Sequence, residues 1–128
     1  MTNIDLVKKV YACFEAGDLE GVLALFDPSI EWHECKGMPF VIDDGIYYGP
    51  DAIMKNVFMN LPVFFDGLNI AISELFGAGD KVVMVGFYQG TNRVTGHSFI
   101  ANVAHTWTVM NGKLTHLFHA ADTATIIS

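Results

Sequence analysis

Basic residues, cysteines and long apolar runs are all scarce in this sequence of 128 residues. Seven lysines and arginines stand against fourteen acidic residues, which gives a net charge of −7, and no stripe of basic residues is present. That balance excludes nucleic acids and anionic membrane surfaces as partners. The longest apolar runs, such as residues 82–87, fall far short of the ~18 residues of a membrane span, and the first residues do not resemble a signal peptide. We therefore expect a cytoplasmic protein.

The two cysteines, Cys13 and Cys35, are too few to hold a domain together through disulfides. With 52% hydrophobic residues the chain has enough apolar mass to form a core and to line a cavity. A zinc site built from His33, Glu34 and Cys35 is disfavoured, because adjacent residues on a strand point to opposite faces. Phosphate-binding loops, nucleophile elbows and metal-binding motifs are absent as well. We expect a single domain over residues 1–128, without a metal ion or a cofactor.

Three helices are predicted in the first half of the chain. The first begins at a capping box near the N-terminus and should end at Gly17, with apolar residues at helical spacing in between. The second is capped by Asp18 and should be closed by Asp27-Pro28. The third begins at Gly49-Pro50-Asp51, where proline occupies the first helical position, and should end at Pro62.

Strands dominate the second half. Residues 30–34 alternate like a first strand, and longer strands are predicted at Leu68–Phe76, at Lys81–Thr91 and in a hairpin over residues 99–123. Helices followed by antiparallel strands indicate an α+β fold, in which the helices pack on one face of a curved, mostly antiparallel sheet. The loop from Cys35 to Tyr48 is apolar for a solvated segment, so we interpret it as a flap over a pocket.

The hairpin contains the candidate site. Asn111-Gly112 between two alternating segments is a strong turn signal, because a two-residue type I′ turn needs positive φ at both positions. On the first arm His105 shares one face with apolar residues. A strict two-residue turn pairs His105 with Phe118 and leaves His119 on the opposite face. One extra residue in the second arm, a β-bulge, would instead place His119 directly opposite His105.

The two leucines of the second arm favour the bulge. Leu114 and Leu117 cannot both face inward on an unbroken strand, since their positions differ by an odd number, yet both are apolar. With a bulge between Lys113 and His119, His105 and His119 would point into the same cavity. Two neighbouring imidazoles disfavour double protonation, so at least one would stay neutral near pH 7.

Several short motifs occur in a characteristic order along nearly the whole chain. They are residues 16–21 with Ala24-Leu25-Phe26, Ile30-Glu31-Trp32, Tyr48 to Ile53, Gly79 to Val83, and His105 to Leu114 running to Asp122-Thr123. Together they resemble the nuclear transport factor two-like superfamily, and within it the SnoaL-like and ketosteroid-isomerase-like proteins. The resemblance implies a cone-shaped barrel, three helices wrapped by a bent sheet that encloses a pocket. It also implies a homodimer through the outer face of that sheet.

Function does not follow from this fold, which hosts isomerases, dehydratases, cyclases, epoxide hydrolases and non-catalytic binding proteins. Steroid isomerases of this fold carry a general-base aspartate on the first strand, where this chain has Trp32. Their helix-one tyrosine is displaced here by one position, to Tyr11. Steroid isomerases also have an aspartate on the fourth strand. Matching the apolar alternation of that strand places His105 at the position of this aspartate, whereas a gap-free count back from Lys113 places Ala104 there.

Other members of the superfamily match differently. Epoxide hydrolases use an arginine between two aspartates, and Arg93 lies in a hairpin connector, where it is a poor candidate. SnoaL-like cyclases are closer, with a histidine on the fourth strand and an acid/base carboxylate on the fifth. Counting the separation between those two residues from His105 leads to His119, which is not a carboxylate. The nearest carboxylate to that position is Asp122.

We therefore expect an enzyme that performs cofactor-independent acid/base chemistry on a mostly apolar carbonyl or hydroxyl compound, by isomerisation, cyclisation, dehydration or hydrolysis. The rival hypothesis is a non-catalytic binding or association domain, which the missing first-strand aspartate favours. His105 would exchange the proton or polarise the oxygen, assisted by His119 or Glu34. The residues expected to line the substrate pocket are Trp32, Tyr11, Tyr48, Tyr88, Trp107 and Leu117.

Overall fold

The computed structural model describes residues 1–128, which form N-terminal helices followed by a curved sheet that does not close. The predicted α+β class is confirmed. The helices are α1 (Asn3–Glu15), α2 (Leu19–Ala24), α3 (Pro50–Asn56), a 3-10 turn (Phe58–Asn60), α4 (Leu61–Phe64) and α5 (Thr123–Ile127). The strands are β1 (Phe26–His33), β2 (Ile46–Tyr48), β3 (Phe65–Ala78), β4 (Lys81–Asn92), β5 (Ser98–Met110) and β6 (Lys113–Ala121). No helix is long and apolar enough to cross a membrane.

The six strands form one sheet in the order β2-β1-β6-β5-β4-β3. Neighbouring strands are antiparallel except β1 and β6, which run parallel. The helices cover the inner face of this sheet, and α1 buries Val7 and Val10 completely in a core of 26 residues. The first strand of the chain therefore lies beside the last.

Helix α1 follows its prediction closely. The side chain of Thr2 accepts a hydrogen bond from the backbone of Asp5, and the Asp5 carboxylate accepts one from the backbone of Thr2. This reciprocal capping box satisfies two amides that the first helical turn leaves without partners.

The boundary of the second helix was predicted wrongly. Helix α2 ends at Ala24, and Phe26 already begins β1, so Asp27-Pro28 lies within a strand rather than closing a helix. Proline is tolerated there because the pairing of β1 with β6 is irregular between Phe26 and Glu31, where no ladder hydrogen bond is required of it.

Proline also misled the prediction for the third helix. Helix α3 ends at Asn56, and Pro62 lies in the first turn of α4 instead of ending a helix. A proline in the first turn sacrifices no hydrogen bond, because that amide has no partner within a helix. Strand β2 and helix α5, both short, were not predicted at all.

The bulged hairpin is confirmed. Val109 pairs with Leu114 next to the turn, whereas His105 pairs with His119, and the register shifts beside Thr108. The shift leaves Thr115 as the extra residue. Leu114 and Leu117 are consequently both fully buried, as the packing argument required.

Candidate functional site

A cavity of about 390 Å³ lies between the inner face of the sheet and the helices. Its lining is mostly apolar, and its exposed members, among them Glu15 and Asn69, mark the mouth between the end of α1 and β3. Seven of the residues proposed from the sequence line it: Tyr11, Trp32, Glu34, Tyr88, His105, Trp107 and His119.

Two proposed pocket residues do not line the cavity. Tyr48 is 65% exposed, because it pairs with Glu31 on the outer face of the sheet. Its neighbour Tyr47 pairs with Trp32 and takes the buried side. Leu117 packs entirely inside the core, opposite Trp107.

The apolar wall formed by β3 was missed from the sequence. Leu68, Ile70 and Ile72 line the cavity there. Ile70 pairs with Tyr88, and the register between β3 and β4 shifts on both sides of this pair. Only the pairing of β3 with β4 could have revealed this wall from the sequence, and the bulges obscured that pairing. Met38, in the segment interpreted as a flap, is buried and also touches the cavity.

Five polar side chains form a continuous hydrogen-bonded chain along the cavity, which we call the relay. It runs from Tyr11 through His105, Tyr88 and His119 to Glu34. The Tyr11 hydroxyl lies 2.8 Å from Nδ1 of His105, and the Tyr88 hydroxyl lies 3.1 Å from Nε2 of His105 and 3.0 Å from Nε2 of His119. Nδ1 of His119 lies 2.9 Å from Oε1 of Glu34. The predicted pair of histidines is therefore bridged by a tyrosine.

A tryptophan fixes each end of the relay. Nε1 of Trp107 donates to the Tyr11 hydroxyl at 2.9 Å, and Nε1 of Trp32 donates to Oε1 of Glu34 at 3.0 Å. Oε2 of Glu34 accepts no hydrogen bond within the protein. Every fully enclosed side-chain oxygen or nitrogen has a hydrogen-bond partner. Oε2 is therefore not fully enclosed, and it is accessible from the cavity that Glu34 lines.

The relay admits an assignment in which every hydrogen bond points the same way. With Glu34 as an acceptor only, Nδ1 of His119 donates to it, and Nε2 of His119 accepts from Tyr88. The Tyr88 oxygen then accepts from Nε2 of His105, whose Nδ1 accepts from Tyr11. In this assignment all five groups are satisfied, and every donor is directed from Tyr11 towards Glu34.

Burial keeps the middle of the relay uncharged. Desolvation, with a smaller contribution from His119, holds the pKa of His105 well below its ordinary value. Desolvation also raises the pKa of Tyr11 and of Tyr88 above the usual tyrosine value. At neutral pH both hydroxyls keep their protons and His105 remains a neutral imidazole.

Sheet curvature brings Tyr88 to the histidines. Tyr88 pairs with Ala101, four residues along β5 from His105, and a flat sheet would separate those positions by about 13 Å. The β3–β4 register shifts next to Gly86, which lies between Tyr88 and the partner of His105 along β4. Bulges bend a strand and increase its twist. The register shift beside Gly86 is such a bulge, and it lies where the sheet bends towards the histidines.

The metal cluster considered from the sequence does not assemble. Glu34 points inward to the relay, while His33 lies on the outer face and contacts Glu31 at 2.6 Å. The Cys35 thiol contacts the backbone oxygen of Ala121 instead. Alternation along β1 separates these side chains, as expected.

A family model of the SnoaL-like domain matches residues 7–117 of this chain. Among solved structures, an NTF2-like protein from Burkholderia thailandensis is 38% identical, with a TM-score of 0.91 over 99% of this chain and 95% of that chain. No curated protein matches this chain.

Two further structures are similar. TerC, which was co-crystallised with polyporic acid, is 29% identical, with a TM-score of 0.85 over 98% of this chain and 95% of that chain. A protein from Shewanella denitrificans described as a putative SnoaL-like polyketide cyclase is 16% identical, with a TM-score of 0.77 over 98% of this chain and 93% of that chain. At that identity the likeness concerns the fold alone.

Proposed function

This chain belongs to the SnoaL-like domain family, and on that basis we propose that it catalyses a proton transfer within a mostly apolar carbonyl or hydroxyl compound. The observation that carries the proposal is the unbroken relay between Tyr11 and Glu34, both of which line one cavity. A base at one end and a hydroxyl donor at the other are what an isomerisation through an enol or enolate requires.

Glu34 is the base in this mechanism. Its Oε2 is free to take a proton from the bound compound, while Oε1 keeps its bonds to Trp32 and His119. As the proton leaves the compound, negative charge develops on its oxygen, and the Tyr11 hydroxyl turns from Nδ1 of His105 to donate to that oxygen.

In the second half of the cycle, Glu34 returns the proton from Oε2 to another atom of the compound, and the Tyr11 hydroxyl turns back to Nδ1 of His105. One proton leaves the compound and one returns to it, so the reaction is balanced without a tyrosinate. The two imidazoles keep their protons throughout and hold Tyr11 and Glu34 in position.

The apolar lining supports this chemistry. Hydrogen bonds and charges act more strongly where water is excluded, and aromatic walls such as Trp32 and Phe58 suit a flat, mostly apolar compound. Because TerC was crystallised with polyporic acid, that compound is the first ligand to test here.

A hydrogen-exchange experiment tests the proposal without knowledge of the natural substrate. A panel of enolisable carbonyl compounds and polyporic acid are incubated with the protein in D₂O, and loss of carbon-bound hydrogen is followed by NMR. We expect protein-dependent exchange with at least one compound, and a fall of about 10²-fold or more in Glu34→Gln and in Tyr11→Phe.

Tyr48→Phe is the matched control, because this exposed tyrosine lies outside the cavity. Binding is followed in the same samples by quenching of Trp32 and Trp107, the two tryptophans of the chain, which both line the cavity. Quenching without exchange in any compound would contradict catalysis and support a ligand-binding domain instead.

We also propose a homodimer through the outer face of the sheet. Large apolar side chains are exposed there, among them Phe87 at 39% and Phe118 at 54%, and such side chains are typical of interfaces. Light scattering at micromolar concentration should give about twice the chain mass of 14.1 kDa. A mass near that of one chain would refute the dimer.

A further inference from the structure

Three potential metal ligands converge on the outer face of the sheet, on the side of β1 opposite to the relay. Glu31 and His33 project outward from β1, and His116 projects outward from β6, paired with Glu31. We call these residues the outer triad. Nε2 of His33 lies 2.6 Å and Nε2 of His116 lies 3.3 Å from the same oxygen, Oε2 of Glu31.

We propose that the outer triad binds a divalent transition metal such as Zn²⁺, through the two Nε2 atoms and one oxygen of Glu31, with water in the open position. Two imidazoles and a carboxylate are a common donor set for Zn²⁺. The three ligand atoms all lie within 4.8 Å of one another, and the side chains are only partly buried in the single chain, so an ion has access to them before the outer faces of two chains meet.

The distances fit a tetrahedral ion after a small adjustment. Metal–ligand bonds of about 2.0–2.1 Å at tetrahedral angles separate neighbouring ligand atoms by roughly 3.3 Å. The His116–Glu31 distance already has this value at 3.3 Å, whereas the His33–Glu31 contact must open from 2.6 Å. Rotation of two partly exposed side chains provides that opening without backbone movement.

Charges around the outer triad act in both directions on a cation. The net charge of −7 attracts cations. Lys81, whose Nζ donates to the hydroxyl of Thr108, the residue paired with His116, is the nearby charge that opposes a cation.

Metal binding would connect the two strands of the only parallel pair in the sheet. Glu31 and His33 belong to β1 and His116 to β6, so an ion bound to all three holds these strands together. Because such a site exists only in the folded state, the metal should stabilise folding as well as bind.

The test is a Zn²⁺ titration in competition with a chromophoric chelator, with thermal unfolding measured in parallel. We expect one Zn²⁺ per chain and a higher melting temperature of the wild type in the presence of Zn²⁺. His116→Ala and Glu31→Gln should each weaken binding about tenfold or more and remove the thermal shift. His97→Ala is the matched control, because His97 is exposed and lies outside the outer triad.

The two variants keep the test interpretable, since Glu31→Gln preserves the shape of the side chain even if His116→Ala unfolds the edge of the sheet. Co²⁺ in place of Zn²⁺ should give the visible absorption of a tetrahedral or five-coordinate site. Zinc that binds with unchanged affinity in both variants would lie elsewhere and overturn the proposal. Absence of binding to the wild type would overturn it too and leave the outer triad as an ion pair.

Discussion

Mild acid should destabilise this protein through one buried histidine. Burial holds the pKa of His105 well below its ordinary value of 6.5, whereas the unfolded chain regains that value. Between the two pKa values the unfolded state therefore carries one more proton than the folded state, and the free energy of unfolding falls as the pH falls. This contribution to stability is complete above pH 6.5 and is lost progressively below it, down to the pKa of the folded state.

The size of the effect follows from the linkage relation. One proton bound only by the unfolded state changes the free energy of unfolding by about 1.4 kcal/mol per pH unit. Over an interval from about pH 7.5 to about pH 5.5, centred on the unfolded pKa, the integrated loss is on the order of 1 kcal/mol. The carboxylates with lowered pKa, such as Glu31, titrate below this interval.

The assay is urea denaturation at both pH values for the wild type and His105→Gln. The variant should lose on the order of 1 kcal/mol less than the wild type on acidification, because it has no imidazole at position 105 to protonate on unfolding. His116, whose pKa is also lowered, is present in both proteins and cancels from the comparison. Equal losses in the two proteins would refute the buried, neutral state of His105.

Three further substitutions test the packing around the site. Tyr88→Phe removes the hydroxyl between two buried imidazoles and should lower the free energy of unfolding by about 1–3 kcal/mol, with Tyr48→Phe as an exposed control; an unchanged denaturation midpoint would contradict the bridging role. Leu117→Ala empties a fully buried position and should cost about 2–5 kcal/mol by the same assay, a loss below about 1 kcal/mol being incompatible with that burial. Gly86→Ala places a methyl group on the backbone oxygen of Ala71, so its melting temperature should fall by several degrees or more, and a wild-type value would show that the strand has room to move.

The sequence predicted those parts of the fold that local chemistry determines. The capping box at Thr2 and the Asn111-Gly112 turn each specify a backbone conformation by themselves. The bulge near Thr115 was predictable because two apolar residues, Leu114 and Leu117, imposed incompatible faces on a regular strand. Proline was misleading for the opposite reason, since Pro28 and Pro62 occupy positions whose amides have no partner to lose.

The relay could be predicted only in part. His105 and His119 lie on one hairpin, so their pairing depended on a single local irregularity. Tyr88 pairs with Ala101 and reaches the histidines only through the bend of the sheet, which no pattern of alternation reveals. Burial of Glu34 depends on the chain that follows it, because its backbone amide is held by the oxygen of Gly45.

The parallel pairing of β1 with β6 has a consequence for how the chain folds. Glu34 and His119, which it brings together, are separated by 85 residues, and closing so long a loop is entropically unfavourable until other contacts support it. The β3–β4–β5–β6 meander is joined by short turns and is able to assemble first, with β1 docking afterwards. On a ribosome that docking waits for nearly the whole chain to emerge. With this order of assembly the carboxylate meets its histidine late in folding, and a chain in which β1 has not docked has no assembled acid/base pair.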